Sequence, residues 1–201
     1  MTSTAMTAQS QQPLNATPAD VNPVAETLAQ AFLTDPVLSW CYPDRNRRAA
    51  ILPQLFGVVA DAYLPHGSIY TTSNHAAAAV WVPPGTEVDQ ERLMSQLGEM
   101  SGQDADRLYA LFELLEAHHP HDRSPHQYLF LLGTRPAWQS QGLGSRLLRV
   151  VLDDCDRDGT PAYLEATSER NKRLYERHGF EVTEVVRPPD GPDIWCMWRN
   201  A

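Results

Sequence analysis

The amino-acid sequence predicts one domain built on a mixed α/β sheet, and three observations carry that expectation. Strand-like and helix-like segments alternate through the second half of the chain, as strands joined by covering helices do. The run Tyr128-Leu129-Phe130-Leu131-Leu132 is continuously apolar and bounded by turn residues, the pattern of a central strand covered on both faces. Finally, Pro188-Pro189-Asp190-Gly191-Pro192 marks a turn between two last strands, so the chain closes on a hairpin. With 201 residues, 42% of them hydrophobic, the chain can bury a sizeable core within one domain.

Each element has its own warrant. Residues 1–12 are rich in Ser, Thr, Gln and Ala, with neither the basic nor the apolar stretch of a secretory signal, and are expected to be a disordered tail before a domain over 13–201. Residues 13–21 suggest a short extended piece, then Thr17 caps a helix with Pro18 in its first turn. Val24, Leu28, Ala31 and Phe32 recur at helical spacing until Asp35-Pro36 breaks the pattern, and Trp40-Cys41-Tyr42-Pro43 reads as a loop. A second helix is expected from Asp44 to Tyr63 despite Pro53, with Ile51, Leu55, Val58, Val59 and Ala62 on one face. Strands at 68–72 and 77–82 flank a hairpin turn. Residues 89–100 and 104–117 look like a helical insertion, and a histidine-rich loop, 118–126, leads to the apolar strand. Then follow a helix at 142–156, a strand at 162–166, a helix at 169–177 and strands at 180–186 and 194–199.

Composition excludes several functions. Sixteen Lys and Arg against 25 Asp and Glu leave a net charge of −9, which repels a phosphate backbone and disfavours nucleic acid as a partner. No apolar run reaches the ~18 residues of a membrane span. Cys41, Cys155 and Cys196 are odd in number and widely spaced, so a disulfide framework is not expected and a reducing cytoplasm fits best. His118, His119, His121 and His126 lack helper ligands at metal-site spacing, so no metal is expected and a solvated loop is the reading.

Two constellations carry chemistry. Gln139-Ser140-Gln141-Gly142-Leu143-Gly144-Ser145 sits between the apolar strand and an amphipathic helix, where glycines let backbone N–H groups converge on a phosphate at the helix N-terminus. It lacks the third glycine of a dinucleotide fingerprint and the lysine of a nucleoside-triphosphate loop. In Asn171-Lys172-Arg173-Leu174-Tyr175, Asn171 and Tyr175 lie four apart and share one helix face, so both can line a cleft, although a tyrosine that merely packs has the same pattern.

Taken together, the apolar strand, Gln-x-x-Gly-x-Gly, helix, strand ending Glu165-Ala166-Thr167, Asn-x-x-x-Tyr and Gly179-Phe180 resemble the GNAT superfamily of N-acetyltransferases over about residues 128–180. A patchier likeness to the puromycin N-acetyltransferase group rests on Ala31-Phe32, Asp35-Pro36, Pro43-Asp44, Leu164-Glu165-Ala166-Thr167 and Trp195-Cys196-Met197. The resemblance implies a mostly antiparallel sheet splayed at an acetyl-CoA site, with residues 13–126 forming the acceptor side and 127–201 the cofactor core. It implies that backbone groups of Leu132 and Thr134, with Gly133 at a bulge, pair with pantetheine. The pyrophosphate would rest on residues Gln141, Gly142, Leu143, Gly144 and Ser145, with Gln139 and Arg146 nearby and Asn171 on the pantetheine amides. Tyr175 would be the general acid and Glu165 the base, with His126 in reserve. The implied reaction is acetyl transfer to a primary amine of a small, antibiotic-like molecule by a monomer or homodimer. A protein acetyltransferase and a non-catalytic acyl-CoA sensor are the alternatives.

Overall fold

The computed structural model describes residues 11–201, so the expected tail lies outside the described residues except for Gln11 and Gln12, which lead into the first strand. Seven strands, β1 (Pro13–Asn15), β2 (Ile69–Thr72), β3 (Ala77–Val82), β4 (Gln127–Thr134), β5 (Ala162–Ala166), β6 (Glu181–Val186) and β7 (Ile194–Arg199), form one sheet. Its order is β1-β2-β3-β4-β5-β7-β6. Only β4 and β5 pair in parallel; the other neighbours are antiparallel. The result is a mixed, mostly antiparallel sheet that stays open and is flanked by helices, as the resemblance implies.

The helices are α1 (Val21–Phe32), α2 (Pro36–Cys41), α3 (Arg45–Tyr63), α4 (Gln90–Ser101), α5 (Ala105–His118), α6 (Leu143–Asp158) and α7 (Glu169–Glu176). Strand alternation divides the core. Ala78, Val80 and Tyr163 face α1, α3, α4 and α5, whereas Ala77, Ala79, Trp81 and Leu164 pack with Leu147, Leu148 and Val151 of α6 on the other face. Among the described residues, no helix is long and apolar enough to cross a membrane.

Caps set the helix starts where the sequence placed them. The Asp44 carboxylate accepts from the N–H groups of Asn46 and Arg47, and Asp89 accepts from Arg92. Four expectations need correction. Residues 13–15 are not merely extended: β1 pairs with β2 in register, Leu14 opposite Thr71. The supposed loop around Trp40 belongs to α2, because Asp35 caps Val37 and Leu38 while Val37, Cys41 and Tyr42 are drawn into the core. On α3, Val58 and Ala62 are only half-buried; the packed face is Ile51, Leu52, Leu55, Phe56 and Val59.

The fourth correction concerns β4. The bulge falls at Phe130, not at Gly133: Trp81 pairs with Leu129 and Val80 with Leu131, which leaves Phe130 as the extra residue. Gly133 instead stays in register opposite Ala78, and its lack of a side chain answers to α1, since a Cβ there would lie 2.8 Å from Ala31 Cβ and 3.0 Å from Leu28 Cδ2. Only Leu129 of the apolar run is fully buried; Tyr128, Phe130, Leu131 and Leu132 pack against the core while remaining partly exposed.

Buried Arg48 ties the first helices together. Its guanidinium donates to the carbonyls of Leu33 (2.9 Å), Tyr42 and Pro43 at the turns between α1, α2 and α3, so the buried cation is balanced by carbonyl oxygens.

Candidate active site

Parallel pairing of β4 and β5 runs through Gln127–Ala162, Tyr128–Tyr163 and Leu129–Leu164 and then stops. Beyond it the strands diverge, and residues 130–134 have no partner on the β5 side. The gap opens a groove of about 650 Å³ between the end of β4, the loop before α6, and α7. Leu132, Gly133, Thr134, Gln139, Gly142, Leu143, Gly144, Ser145, Asn171 and Tyr175 all line it.

At the head of the groove the chain turns through two left-handed residues, Ser140 at φ 62° and Gly142 at φ 79°. Gly142 is the N-cap of α6, and a Cβ at Gly142 would meet nothing within 4 Å. The glycine therefore answers to backbone conformation, and its open face lies at the positive end of a 16-residue helix. Arg170 adds a cation that the motif reading missed, donating to Gln139 Oε1 (2.7 Å) and Ser140 Oγ (3.3 Å) while lining the groove. Gln139 also donates through Nε2 to the Thr134 carbonyl at 3.2 Å, tying the turn to the strand end. Ser145 Oγ is engaged by His178 Nε2 at 3.0 Å. Two side chains named from the motif point elsewhere. Gln141 is exposed and reaches the Ala137 carbonyl, and Arg146 reaches Gln11, so Gln141 has only its backbone to offer the groove.

The helical spacing of Asn171 and Tyr175 puts both at the groove's inner end. Ser168 caps their helix by accepting from the Asn171 N–H. Tyr175 is 6% exposed and packs edge-on to Phe180. Burial, with the carboxyl of Asp35 nearby, pushes its phenol well above the ordinary range. Asp35 is buried too, capping α2 and accepting from the Thr167 hydroxyl, and burial raises its pKa. Sequence reading missed Asp35 as a site residue, although an acid before proline at a helix start is a visible cap signal.

Past Tyr175 the groove adjoins a half-open, largely apolar chamber of about 130 Å³ under α1, α3, α4 and α5. Groove and chamber share Phe32, Asp35, Leu132, Asn171 and Tyr175. On its far side the chamber shares Phe112, Leu115, Tyr128, Phe130 and Glu165 with an outer cleft of about 700 Å³ lined by α3, α4, α5 and β4. The chamber thus adjoins the groove at Tyr175 and the outer cleft at Glu165.

Glu165 follows Tyr163 by two residues on β5, so both face the chamber side of the sheet. Its Oε1 is sealed from solvent without a hydrogen-bond partner. Burial raises its pKa from 4.5 to about 7, and the flanking hydroxyls of Tyr128 and Tyr163 only partly offset this by favouring the carboxylate. The Tyr163 hydroxyl closes no well-formed hydrogen bond.

Residues 121–125, with His121, are exposed as a solvated loop would be, but His118 ends α5 and His119 and His126 are drawn inward. His119 packs edge-on to Tyr128 and Tyr163 at 5.0 and 4.9 Å between ring centres, and its Nε2 lies 3.2 Å from His126 Nε2. Burial, then the neighbouring imidazoles, lowers the His119 pKa to about 4, so it is neutral near pH 7. His119 lines the outer cleft; His126 lies behind it against Trp198 and lines neither cavity. Nothing in the sequence singles out His119 from its neighbours, because the fold of the loop makes the choice. Among the described residues, no group of His, Cys, Asp and Glu could hold a metal ion.

Comparison with known proteins places this geometry. Residues 102–182 match the family model described as the acetyltransferase (GNAT) domain. An uncharacterized N-acetyltransferase of Schizosaccharomyces pombe is 25% identical over 180 residues, covering 83% of this chain and 73% of that protein. A mycothiol acetyltransferase of Acidimicrobium ferrooxidans is 30% identical over 133 residues, but these make up only 40% of its length and 61% of this chain. Among solved structures, a Corynebacterium glutamicum protein described as histone acetyltransferase HPA2 and related acetyltransferase superposes with a TM-score of 0.69 at 27% identity, covering 94% of this chain and 96% of that one. Arylalkylamine N-acetyltransferase 2 from Aedes aegypti superposes with a TM-score of 0.65 over 94% of this chain and 98% of that one, and at 15% identity the likeness is one of fold.

Proposed function

We propose that this chain, an acetyltransferase of the GNAT type whose co-substrate is acetyl-CoA, passes the acetyl group to a primary amine of a small molecule by direct attack. The observation that carries the reading is one largely apolar chamber lined by both a protonated phenol, Tyr175, and a carboxyl of near-neutral pKa, Glu165.

The groove suits acetyl-CoA. The left-handed turn at Gly142, the start of α6 and Arg170 offer N–H groups and positive charge to a pyrophosphate, and the open face at Gly142 leaves room for it. The unpaired edge of β4 at Leu132 and Thr134 offers backbone groups to an amide-bearing pantetheine arm in the manner of an added strand, with Asn171 across the groove. When bound, acetyl-CoA supplies an activated acyl carbon with a thiol as leaving group.

Every other step belongs to the chain. An alkylamine has a reference pKa of about 10 and is mostly cationic at pH 7, so it must give up a proton before it can attack. Glu113, Glu116 and the carboxylate form of Glu165 line the outer cleft and attract the cation. Glu165, half ionised near pH 7, accepts the proton directly or through water. Tyr175 keeps its proton at neutral pH and holds it at the groove end of the chamber, ready for the departing sulfur. Their apolar surroundings strengthen both interactions and exclude bulk water.

A puromycin-type amine is one acceptor within this class. The outer cleft, about 700 Å³, is of the size that takes a small-molecule ligand. The reducing cytoplasm goes with this reading, since all three cysteines are free and buried.

The test is thiol release from acetyl-CoA with puromycin, aminoglycosides, amino acids, polyamines and an N-terminal peptide, alongside calorimetric titration of the cofactor. Release with a small amine supports the proposal. Release with the peptide alone would replace it with a protein acetyltransferase, and binding without release across a wide panel would point to a sensor.

A further inference from the structure

The chamber extends well beyond Tyr175 and Glu165. Its lining continues beneath the helices to Leu52, Leu55, Val59 and Leu111 and is mostly apolar. A cavity of this size, about 130 Å³, is close to the ~150 Å³ apolar cavity that holds a benzene molecule.

Direction decides what can fill it. An amine acceptor arrives from the outer cleft with its nitrogen leading towards Glu165, so its body trails back into that cleft. A thioester arrives from the groove with its acyl chain leading. The acyl chain, on passing Tyr175, leads into the chamber towards Leu52, Leu55 and Leu111, whereas the amine needs to bring only its nitrogen past Glu165. The lining also suits an uncharged chain, because apart from Asp35 and Glu165 it carries no ionised group.

We infer that the chamber is an acyl-chain pocket, and that the protein accepts acyl-CoA donors longer than acetyl, up to about six carbons, as well as acetyl-CoA. This rests on the transferase reading above and extends it to the donor. The bookkeeping is unchanged by chain length. The amine nitrogen bonds to the acyl carbon as the carbon–sulfur bond breaks, the sulfur takes the proton of Tyr175, and the proton lost by the amine goes to Glu165. The products are the N-acyl amide and free CoA.

The experiment measures dissociation constants of acetyl-, butyryl-, hexanoyl- and dodecanoyl-CoA by calorimetry on the full chain. In parallel, thiol release is followed with an amine found active with acetyl-CoA and the amide product is identified by mass. Each methylene buried in a dry pocket contributes about 0.8 kcal/mol, or about fourfold in affinity, before the cost of ordering the chain. The expected result is at least a tenfold tightening from acetyl to hexanoyl, reversed at dodecanoyl, with the N-hexanoyl amide formed. Two variants locate the effect through the hexanoyl-to-acetyl affinity ratio. Leu111→Trp fills the chamber and lowers the ratio, whereas Leu55→Ala enlarges it and moves the preference to longer chains. General damage to the fold does not shift the ratio in opposite directions. Affinities equal within twofold from acetyl to hexanoyl, or a ratio that neither variant moves, would overturn the inference while leaving acetyl transfer standing. Failure to bind acetyl-CoA at all would overturn the transferase reading itself, and this inference with it.

Discussion

Replacing Glu165 with glutamine separates two consequences of burying one carboxyl. Burial raises its pKa from 4.5 to about 7. At about 1.4 kcal/mol per pH unit, the folded protein favours the protonated form by roughly 3 kcal/mol relative to the unfolded chain. The sign follows from the direction. A carboxyl whose folded pKa is raised costs nothing below its unfolded pKa, and the cost grows as pH rises from there through the folded value near 7. Glutamine has nearly the same shape and no charge at any pH. The variant should match the wild-type protein in urea unfolding at pH 4.5 and exceed it by up to about 3 kcal/mol at pH 8, with unchanged m-value. Taking the difference between the two proteins cancels the other titrating groups, among them Asp20, whose pKa is lowered to about 2 by its hydrogen bonds to Thr17 and His75. The same substitution removes the proposed base. Turnover should fall about 10²-fold or more, and the rise of kcat/KM through pH 7 in the wild-type protein should vanish. The stability measurement needs no knowledge of the acceptor. A difference that is the same at pH 4.5 and 8 would refute the buried carboxyl, and a pH profile with its inflection near 7 intact in the variant would refute the base.

Three further substitutions probe the rest of the site and its scaffold. Tyr175→Phe should lower kcat about 10²-fold while acetyl-CoA affinity stays within a few-fold, because the lost proton is needed only as the thiol departs; titration and steady-state kinetics separate the two. Gly142→Asp should weaken acetyl-CoA binding more than tenfold by calorimetry. Gly142→Ala is the conformational control: at φ 79° a Cβ costs of order 1 kcal/mol, and aspartate tolerates that region better, so a larger loss with aspartate reports charge against the pyrophosphate. Gly133→Ala drives a methyl to within 2.8 Å of Ala31 and should lower the urea midpoint by the equivalent of about 1–3 kcal/mol; an unchanged midpoint would mean α1 yields freely.

Much of this protein is written in short-range patterns. Alternation along β5 placed Tyr163 and Glu165 on one face, four-residue spacing placed Asn171 and Tyr175 on another, and Gly142 marked the anion turn, all from preferences that act within a few residues. Aspartate caps at 44 and 89 likewise fixed where α3 and α4 begin. Other features had no local signal. β1 is a three-residue strand stabilised by its neighbour, and α2 owes its helix to a cap and to burial that outweigh its loop-like composition. A run of apolar residues has no period to break, so the bulge at Phe130 became visible only through its pairing with β3. Arg170 and His119 reach the site from segments whose sequence reads as ordinary surface helix and loop. The chamber lined by both Tyr175 and Glu165 is the plainest case. Its walls come from six helices and three strands, and a void between elements distant in sequence is a property of their packing, decided when the core closes and not by any one segment.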